Sequence, residues 1–302
     1  MTKYAPRKTA ADFDPAILDL FDGYVHGAIT KRDFLERAAK YTAGAAGALA
    51  VLNALKPDYA LAHQVAEDDP AIESEWIEYK SKKGHGTIRG LTAWPAPKDD
   101  FDGPYGAVLV IHENRGLNPY VEDVARRIAK AGFLALAPDG LSPKGGYPGN
   151  DDVGRSMQRE LDRTKLLEDF FAGFEHIAQH KKSNGKAGAV GFCFGGGVCN
   201  ALAVAYPEMA CSVPFYGRQA SAEDVPAINA ALLLHYGGND KRVNAGWPDY
   251  EAALEEHDKT YQAHFYPGAS HGFHNDSTPR YDMKAANLAW ARTLEWFERY
   301  LM

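Results

Sequence analysis

The sequence predicts an α/β protein with a mostly parallel central sheet and helices on both faces. From residue 107 onward, short apolar segments alternate with helical patterns, as expected of strand–helix–strand units. The segment Ala107–Ile111 is continuously apolar, which is typical of a strand covered on both faces. The 302 residues, of which 45% are hydrophobic, suffice for one such domain and an extension.

Composition and charge exclude several classes of function. The formal net charge of −7 opposes nucleic-acid binding, which requires a clustered positive field. The chain contains eleven histidines without a His-Glu-x-x-His pairing, and its three cysteines show neither a disulfide framework nor a zinc spacing. We therefore expect a small-molecule partner, no metal and no cofactor.

Residues 1–65 are predicted to be a helical extension, with one helix near Asp14 to His26. The apolar run from Ala43 to Leu55 is shorter than the about 20 residues that span a bilayer. One interpretation is a helix that packs on the main domain or between subunits of a homo-oligomer, which favours a cytoplasmic location. The other is an export signal, because Lys31-Arg32 resembles a degenerate twin-arginine motif and Ala60–Ala62 fits a cleavage site. Both stay open.

The acidic stretch Glu67–Pro70 marks the start of a main domain over residues 66–302. Alternating segments at 73–80 and 86–94 predict an antiparallel strand pair. The other predicted elements are, in chain order, strand 107–111, helix 121–131, strand 133–138, one long or two shorter helices within 153–182, strand 189–192, helix 196–206, strands 211–216 and 231–236, helix 245–257, strand 261–266 and helix 281–301.

A Gly-x-Cys-x-Gly turn lies between a predicted strand and helix, at Gly191-Phe192-Cys193-Phe194-Gly195. This is the nucleophile-elbow pattern with cysteine in the place usually held by serine. The positive end of the following helix favours a thiolate and a developing oxyanion. Such turns also bind phosphate, but this one lacks the Gly-Lys-Ser/Thr ending.

Two further polar residues follow strand ends, where ligands bind in open parallel sheets. Asp240 follows the strand at 231–236, and His271 follows the strand at 261–266. Nucleophile, acid, histidine is the chain order of α/β-hydrolase triads, although Asp240 also suits a turn, and His264 and His274 are rivals of His271.

Glu113 follows the first central strand. From there it could accept the thiol proton or, by like-charge repulsion, oppose formation of the thiolate. A solvated loop acid is the plainer interpretation.

The chain resembles the dienelactone hydrolase family, the carboxymethylenebutenolidases, from about Glu73 to its C-terminus. The matching segments are Ile111-His112-Glu113-Asn114-Arg115-Gly116-Leu117-Asn118, Ala137-Pro138-Asp139, Gly191-Phe192-Cys193-Phe194-Gly195-Gly196, Tyr236-Gly237-Gly238-Asn239-Asp240 and Tyr266-Pro267-Gly268-Ala269-Ser270-His271-Gly272-Phe273.

The resemblance implies an α/β-hydrolase fold and a carboxylic ester hydrolase with an acyl-thioester intermediate. It implies Cys193 as nucleophile, His271 as base and acid, Asp240 as its orienting partner and Glu113 as regulator of the thiol. The backbone N–H groups of Phe194 and Asn114 would then form the oxyanion hole.

Two arginines that bind the substrate carboxylate in dienelactone hydrolases are missing from their places here. Lys144 and Arg280 are candidate replacements, and Tyr147, Phe273 and Trp247 are candidate pocket aromatics. The substrate is therefore expected to be an ester or lactone of unspecified type. A peptidase-like or other acyl-transfer activity, and a non-catalytic binding protein of the same fold, are the alternatives.

Overall fold

The computed structural model describes residues 7–98 and 102–302, and within these ranges eight strands form one sheet. The strands are β1 (Ile72–Ser81), β2 (Gly86–Pro95), β3 (Tyr105–Ile111), β4 (Leu134–Pro138), β5 (Ser183–Phe192), β6 (Cys211–Phe215), β7 (Ala231–Gly237) and β8 (Tyr261–Tyr266). Their order is β1-β2-β4-β3-β5-β6-β7-β8. The β1–β2 and β2–β4 pairs are antiparallel and the rest are parallel, which confirms the predicted mostly parallel sheet.

The helices connect the strands much as the sequence predicts. The segment predicted as one or two helices within 153–182 is two. The α-helices are α1 (Pro15–His26), α2 (Lys31–Ala38), α3 (Gly44–Ala54), α4 (Pro119–Lys130), α5 (Asp151–Arg159), α6 (Arg163–Ala178), α7 (Phe194–Ala205), α8 (Lys241–Asn244), α9 (Trp247–Glu256) and α10 (Met283–Leu301), and short 3-10 turns lie at Ala10–Asp12, Ala39–Tyr41, Tyr59–Leu61, Ser142–Lys144 and Ala222–Ala227.

Helix α2 was not predicted, although its start has a clear local cause. Thr30 and Asp33 form a capping box, in which each side chain accepts a hydrogen bond from the other residue's backbone N–H. The Lys31-Arg32 pair, which had suggested an export motif, lies in the first turn of this helix.

The sheet carries an apolar core on each face. All seven residues of β3 are buried, as its continuous apolar sequence predicts. Helices α6, α7 and α9 pack on one face, and α4 and α10 pack on the other. This two-sided covering leaves the carboxyl ends of the parallel strands as the edge where a site can form.

The N-terminal extension is helical, as predicted, and has a small apolar core of its own. Its apolar run forms helix α3. None of the helices within residues 7–98 and 102–302 combines the length and apolarity needed to cross a bilayer. The buried residues of this core are Phe13, Ile17, Phe21, Val25, Phe34, Ala38, Ala48, Leu52 and Leu55.

The turn between β5 and α7 is strained and closely packed. Cys193 has φ 57° and ψ −110°, a backbone conformation that L-residues rarely adopt. A Cβ on Gly191 would lie 2.2 Å from the carbonyl oxygen of Gly195, and a Cβ on Gly195 would lie 2.3 Å from that of Ile111. Only glycine at these two positions lets the strand and helix meet at such an angle.

Replacing Gly195 by alanine is expected to lower the free energy of unfolding by about 1–3 kcal/mol or more, because backbone atoms must move to admit the new methyl group. Gly197→Ala is the matched control, since its Cβ would meet Arg218 at an ordinary 3.7 Å. The control should be neutral or gain up to about 1 kcal/mol of helix propensity. Denaturant unfolding measures both variants, and equal stabilities would contradict the packing argument.

Candidate active site

The three residues predicted from the strand ends lie together in the structure. Cys193 joins β5 to α7, Asp240 caps the start of α8 after β7, and His271 follows β8. Nδ1 of His271 lies 2.5 Å from Oδ2 of Asp240. A ring nitrogen of His271 lies within 4.8 Å of the Cys193 Sγ. The topology therefore brings a thiol, an imidazole and a carboxylate to one point.

Hydrogen bonding defines the state of the Asp240–His271 pair. Burial alone would raise the pKa of Asp240, but the charge and hydrogen bond of His271 outweigh it and lower that pKa. An ionised carboxylate only accepts, so Nδ1 of His271 carries the proton and Nε2 of the neutral ring has a free lone pair. Within the described part of the chain, Nε2 has no hydrogen-bond partner. The ring is thus oriented as a base.

A second histidine contacts the thiol, and the sequence analysis missed it as a site residue. Nε2 of His26, the last residue of α1, lies 3.3 Å from Sγ of Cys193. Its Nδ1 lies 2.8 Å from the backbone carbonyl oxygen of Asp22 and 3.1 Å from Oδ1 of the same residue. The rings of His26 and His271 meet edge to face, with centroids 4.6 Å apart. The N-terminal extension is therefore part of the site.

The sequence contained one indication that Asp22 and His26 form a pair. Asp22 and His26 are four residues apart on a predicted helix, a spacing that puts both side chains on the same helix face. Nothing in a single sequence shows, however, which surface that face covers. Docking of the extension is a tertiary contact between segments more than 160 residues apart.

Glu113 is buried and paired with cations and amides. Its Oε2 lies 3.0 Å from Nη2 of Arg115 and accepts a hydrogen bond from Nδ2 of Asn275 at 3.1 Å. Arg115 also pairs with Asp151 at 2.8 Å. No hydrogen bond joins Glu113 to Cys193 in the described structure. Regulation of the thiol by Glu113 stays a prediction.

Of the two predicted oxyanion donors, Phe194 directly follows the thiol-bearing residue, and Asn114 lies on the loop after β3. Phe194 is the first residue of α7, so its N–H has no acceptor within the helix. Asn114 donates through Nδ2 to the carbonyl of Val25 in α1 at 2.8 Å, which links this loop to the extension. The neighbouring His112 fixes the loop from inside, because Nδ1 donates to the Glu113 carbonyl at 2.5 Å and Nε2 accepts from Gly140 at 3.0 Å.

The two rival histidines have other partners. His274 is buried, its Nδ1 lies 2.7 Å from the hydroxyl of Tyr120, and burial lowers its pKa far below the usual value. His264 stacks on His235 with ring centroids 5.9 Å apart. Neither belongs to the group of side chains around the thiol.

A cavity of about 850 Å³ opens between the extension and the loops after β7 and β8. His271, Asp240, Asp22, Arg242 and Arg280 are among its lining residues. Within the described residues, Nε and Nη1 of the buried Arg280 have no hydrogen-bond partner, although Nη1 lies 3.9 Å from Asp22. The cavity therefore presents cationic groups directly beside the candidate base.

The other predicted substrate-binding residues are spread more widely. Tyr147 lines a separate cavity of about 170 Å³ and donates to Asp151 at 2.8 Å. Lys144 pairs with Glu160 at 2.5 Å. Phe273 and Trp247 pack in the core among other aromatic rings. Their roles in binding substrate stay predictions.

Among the described residues, His26, Cys193 and His271 form the group that could hold a metal ion. Their three ligand atoms lie within 4.8 Å of one another. Each histidine also has a carboxylate at its other nitrogen, as zinc-binding histidines do. However, the guanidinium of Arg242 lies 3.2 Å from Nε2 of His26 and opposes a divalent cation there. We favour acid–base chemistry for the cluster.

Comparison with known proteins gives two family matches. Residues 88–301 match the model of the dienelactone hydrolase family, and residues 5–40 match a model described as YqhI-like. The second match covers α1 and α2 of the extension.

Individual proteins agree with the first match. "Putative hydrolase fragment YghX" of Escherichia coli is 60% identical over 117 residues, which cover 39% of this chain and 97% of that protein. "Probable 2-oxo-3-(5-oxofuran-2-ylidene)propanoate lactonase" of a Bradyrhizobium species is 32% identical over 66% of this chain and 86% of its own length.

A solved structure, the dienelactone hydrolase-like promiscuous phosphotriesterase P91 from metagenomic libraries, shares the fold. Its TM-score is 0.65 at 24% identity, over 77% of this chain and 100% of that one.

The buried ion pairs of Arg115 generate a stability prediction. Replacing Arg115 by methionine leaves Glu113 and Asp151 without their cation, and the free energy of unfolding should fall by about 3–5 kcal/mol. Arg32→Met is the control, because that arginine and its partner Glu36 are exposed, so the substitution should change stability little. Denaturant titration provides the comparison. An Arg115 variant as stable as the control would contradict the prediction.

Proposed function

This chain belongs to the dienelactone hydrolase family, as a hydrolase that acts on esters or lactones, and we propose that it does so through Cys193, His271 and Asp240. In this proposal Cys193 is the nucleophile, His271 is the base and acid, and Asp240 orients His271. The intermediate is an acyl-thioester on Cys193.

One observation carries the proposal. The Asp240–His271 pair, with its 2.5 Å separation, holds a ring nitrogen of His271 within 4.8 Å of a thiol on a strained strand–helix turn, and Nε2 of this ring has no hydrogen-bond partner among the described residues. The thiol stands at the N-terminus of α7, where the helix dipole and free N–H groups favour negative charge. Thiolate and oxyanion are both negative, so one helix end supports the nucleophile and the transition state.

The reaction then follows from these positions. The Cys193 thiolate attacks the carbonyl carbon, and the carbonyl oxygen becomes an oxyanion held by the backbone N–H groups of Phe194 and Asn114. Collapse breaks the bond to the alcohol oxygen, which takes up the proton that the thiol gave up, and leaves an acyl-thioester. A water molecule gives a proton to Nε2 of His271, attacks the thioester and releases the acid and the thiol.

The 850 Å³ cavity supports a substrate that carries a carboxylate. Arg242 and Arg280 line it together with His271, and Arg280 has unpartnered nitrogens within the described structure. A guanidinium binds a carboxylate with charge-assisted hydrogen bonds. Arg242 and Arg280 would then bind the substrate carboxylate in place of the two arginines that this chain lacks at the usual positions.

Family membership supports a hydrolase over the non-catalytic binding protein. No feature of the cavity specifically favours a peptide over a small ester. Ester or lactone hydrolysis is therefore the function we propose to test.

Replacing Cys193 by alanine should lower kcat for small activated esters at least about a thousandfold, because no other group replaces the nucleophile. Cys193→Ser should also be slow, since the site favours a thiolate and a serine hydroxyl ionises far less readily. Cys199→Ala is the control, as that buried thiol lies within α7 and should not change turnover. Wild-type turnover by Cys193→Ala would overturn the assignment.

Arg280→Gln should raise KM about tenfold or more for an ester with a free carboxylate, while KM for its neutral counterpart changes little. The reason is the loss of a charge-assisted hydrogen bond of about 1.5–3 kcal/mol. Lys144→Gln tests the rival cation and should leave both substrates unaffected. An equal rise in KM for both esters in the Arg280 variant would contradict the role of Arg280. So would a rise in KM for the carboxylate ester alone in the Lys144 variant.

A further inference from the structure

The last turn of α1 is held over the active site by polar contacts with the main domain. Tyr24 donates to Asp152 at 2.9 Å, and Asn114 donates to the carbonyl of Val25 at 2.8 Å. Carbonyls in the last turn of a helix lack hydrogen-bond partners within the helix. The Asn114 amide supplies a partner to the Val25 carbonyl, which docking of the extension would otherwise bury without one. This part of the extension is therefore bound in a defined orientation.

His26 stands at the C-terminal end of α1, and Gly27 terminates the helix with φ 79°. Helix C-termini favour cations, so an imidazolium is stabilised there. Cys193 lies at the N-terminus of α7, where the helix dipole favours an anion. The two helices thus favour a positive charge on His26 and a negative charge on Cys193, across a 3.3 Å contact.

The hydrogen bonds of His26 determine which nitrogen faces the thiol as an acceptor. The backbone carbonyl of Asp22 can only accept, so Nδ1 must donate to it. In the neutral ring, Nε2 then carries the lone pair, which faces both the S–H of Cys193 at 3.3 Å and an N–H of Arg242 at 3.2 Å. This is the geometry of a general base, with Asp22 in the position that Asp240 holds for His271.

The charges around His26 support proton transfer from the thiol. Burial would lower the pKa of His26, but the charge of Cys193 and the hydrogen bonds to Asp22 and Cys193 together raise it. The same surroundings hold the pKa of Asp22 far below its usual value, against the effect of burial. Opposing cations also face the ring, namely His271 when protonated and Arg242, which pairs with Asp22 at 3.1 Å.

The two histidines beside the thiol suit different steps, deprotonation of the thiol and activation of water. Two positive charges on rings with centroids 4.6 Å apart repel, so the geometry disfavours a proton on both rings at once. His26 is the ring hydrogen-bonded to Sγ, whereas Nε2 of His271 is unpartnered within the described residues. A neutral, unpartnered imidazole is what the activation of water requires.

We propose that His26 of the N-terminal extension is a catalytic residue, the base that takes the proton of Cys193 and is oriented by Asp22. This inference rests on the proposed function. Proton transfer from Sγ to Nε2 of His26 gives the thiolate and an imidazolium. After the thiolate has attacked, the imidazolium returns its proton to the departing alcohol oxygen.

His271 serves the second half of the reaction. It takes a proton from water, the resulting hydroxide attacks the thioester, and the C–S bond breaks. The departing thiolate then regains that proton from His271, so both rings end neutral and the thiol is restored. One water is consumed, and one acid and one alcohol are released.

The pH dependence of thiol alkylation tests this assignment. Iodoacetamide reacts with the thiolate, and Cys193 should react selectively because burial raises the thiol pKa of Cys199 and Cys211. The midpoint of the rate against pH reports thiol ionisation, while the plateau reports access. In His26→Gln the midpoint should rise by about one pH unit or more, which makes alkylation near pH 6 about tenfold slower.

Three further variants sharpen the experiment. His271→Gln should keep a midpoint close to that of the wild type, and Asp22→Asn should lie between wild type and His26→Gln. His63→Gln, an exposed histidine of the extension, should match the wild type throughout. An unchanged midpoint in His26→Gln overturns the inference, and so does a raised plateau at an unchanged midpoint, which would mean that His26 only covers the thiol.

Failure of the inference is distinguishable from failure of the proposed function. If Cys193→Ala still turns over esters, the nucleophile assignment falls. If Cys193→Ala is inactive while His26→Gln keeps the wild-type midpoint of alkylation against pH, only the role proposed for His26 is wrong.

Discussion

The strained backbone of Cys193 is the constraint on which the rest of the site depends. A residue with φ 57° and ψ −110° costs on the order of 1–3 kcal/mol, and the surrounding packing must hold it. Here the close approach of Gly191 to Gly195, and of Gly195 to Ile111, leaves the chain no room to relax. The strain places the thiol at the end of a strand and the start of a helix at once, where negative charge is favoured.

Around that thiol the structure arranges two Asp–His pairs of different origin. The Asp240–His271 pair comes from loops of the hydrolase domain, and the Asp22–His26 pair comes from one turn of the extension. In both pairs the carboxyl-bearing residue engages Nδ1; Nε2 of His26 contacts the thiol, and a ring nitrogen of His271 lies within 4.8 Å of it. The carboxylate of Glu113, on the loop after β3, instead contacts Arg115 and Asn275.

The sequence predicted the hydrolase domain well, because its elements carry strong local patterns. The buried strand β3, the glycine-flanked elbow and the Gly-containing turns before Asp240 and His271 are all determined by neighbours in the chain. Helix α2 was missed because it depends on one capping box in a polar segment. His26 was missed for a different reason, since its position depends on docking against loops far away in sequence, and no local pattern encodes that.

The most direct test of the account is to identify the acylated residue in His271→Gln enzyme quenched within a single turnover of an activated ester. The measurement is intact mass followed by peptide mapping. Because His26 ionises the thiol and His271 acts only on the thioester, we expect one acyl group per chain, bound to Cys193. An unmodified chain, or an acyl group on any other residue, would contradict the account.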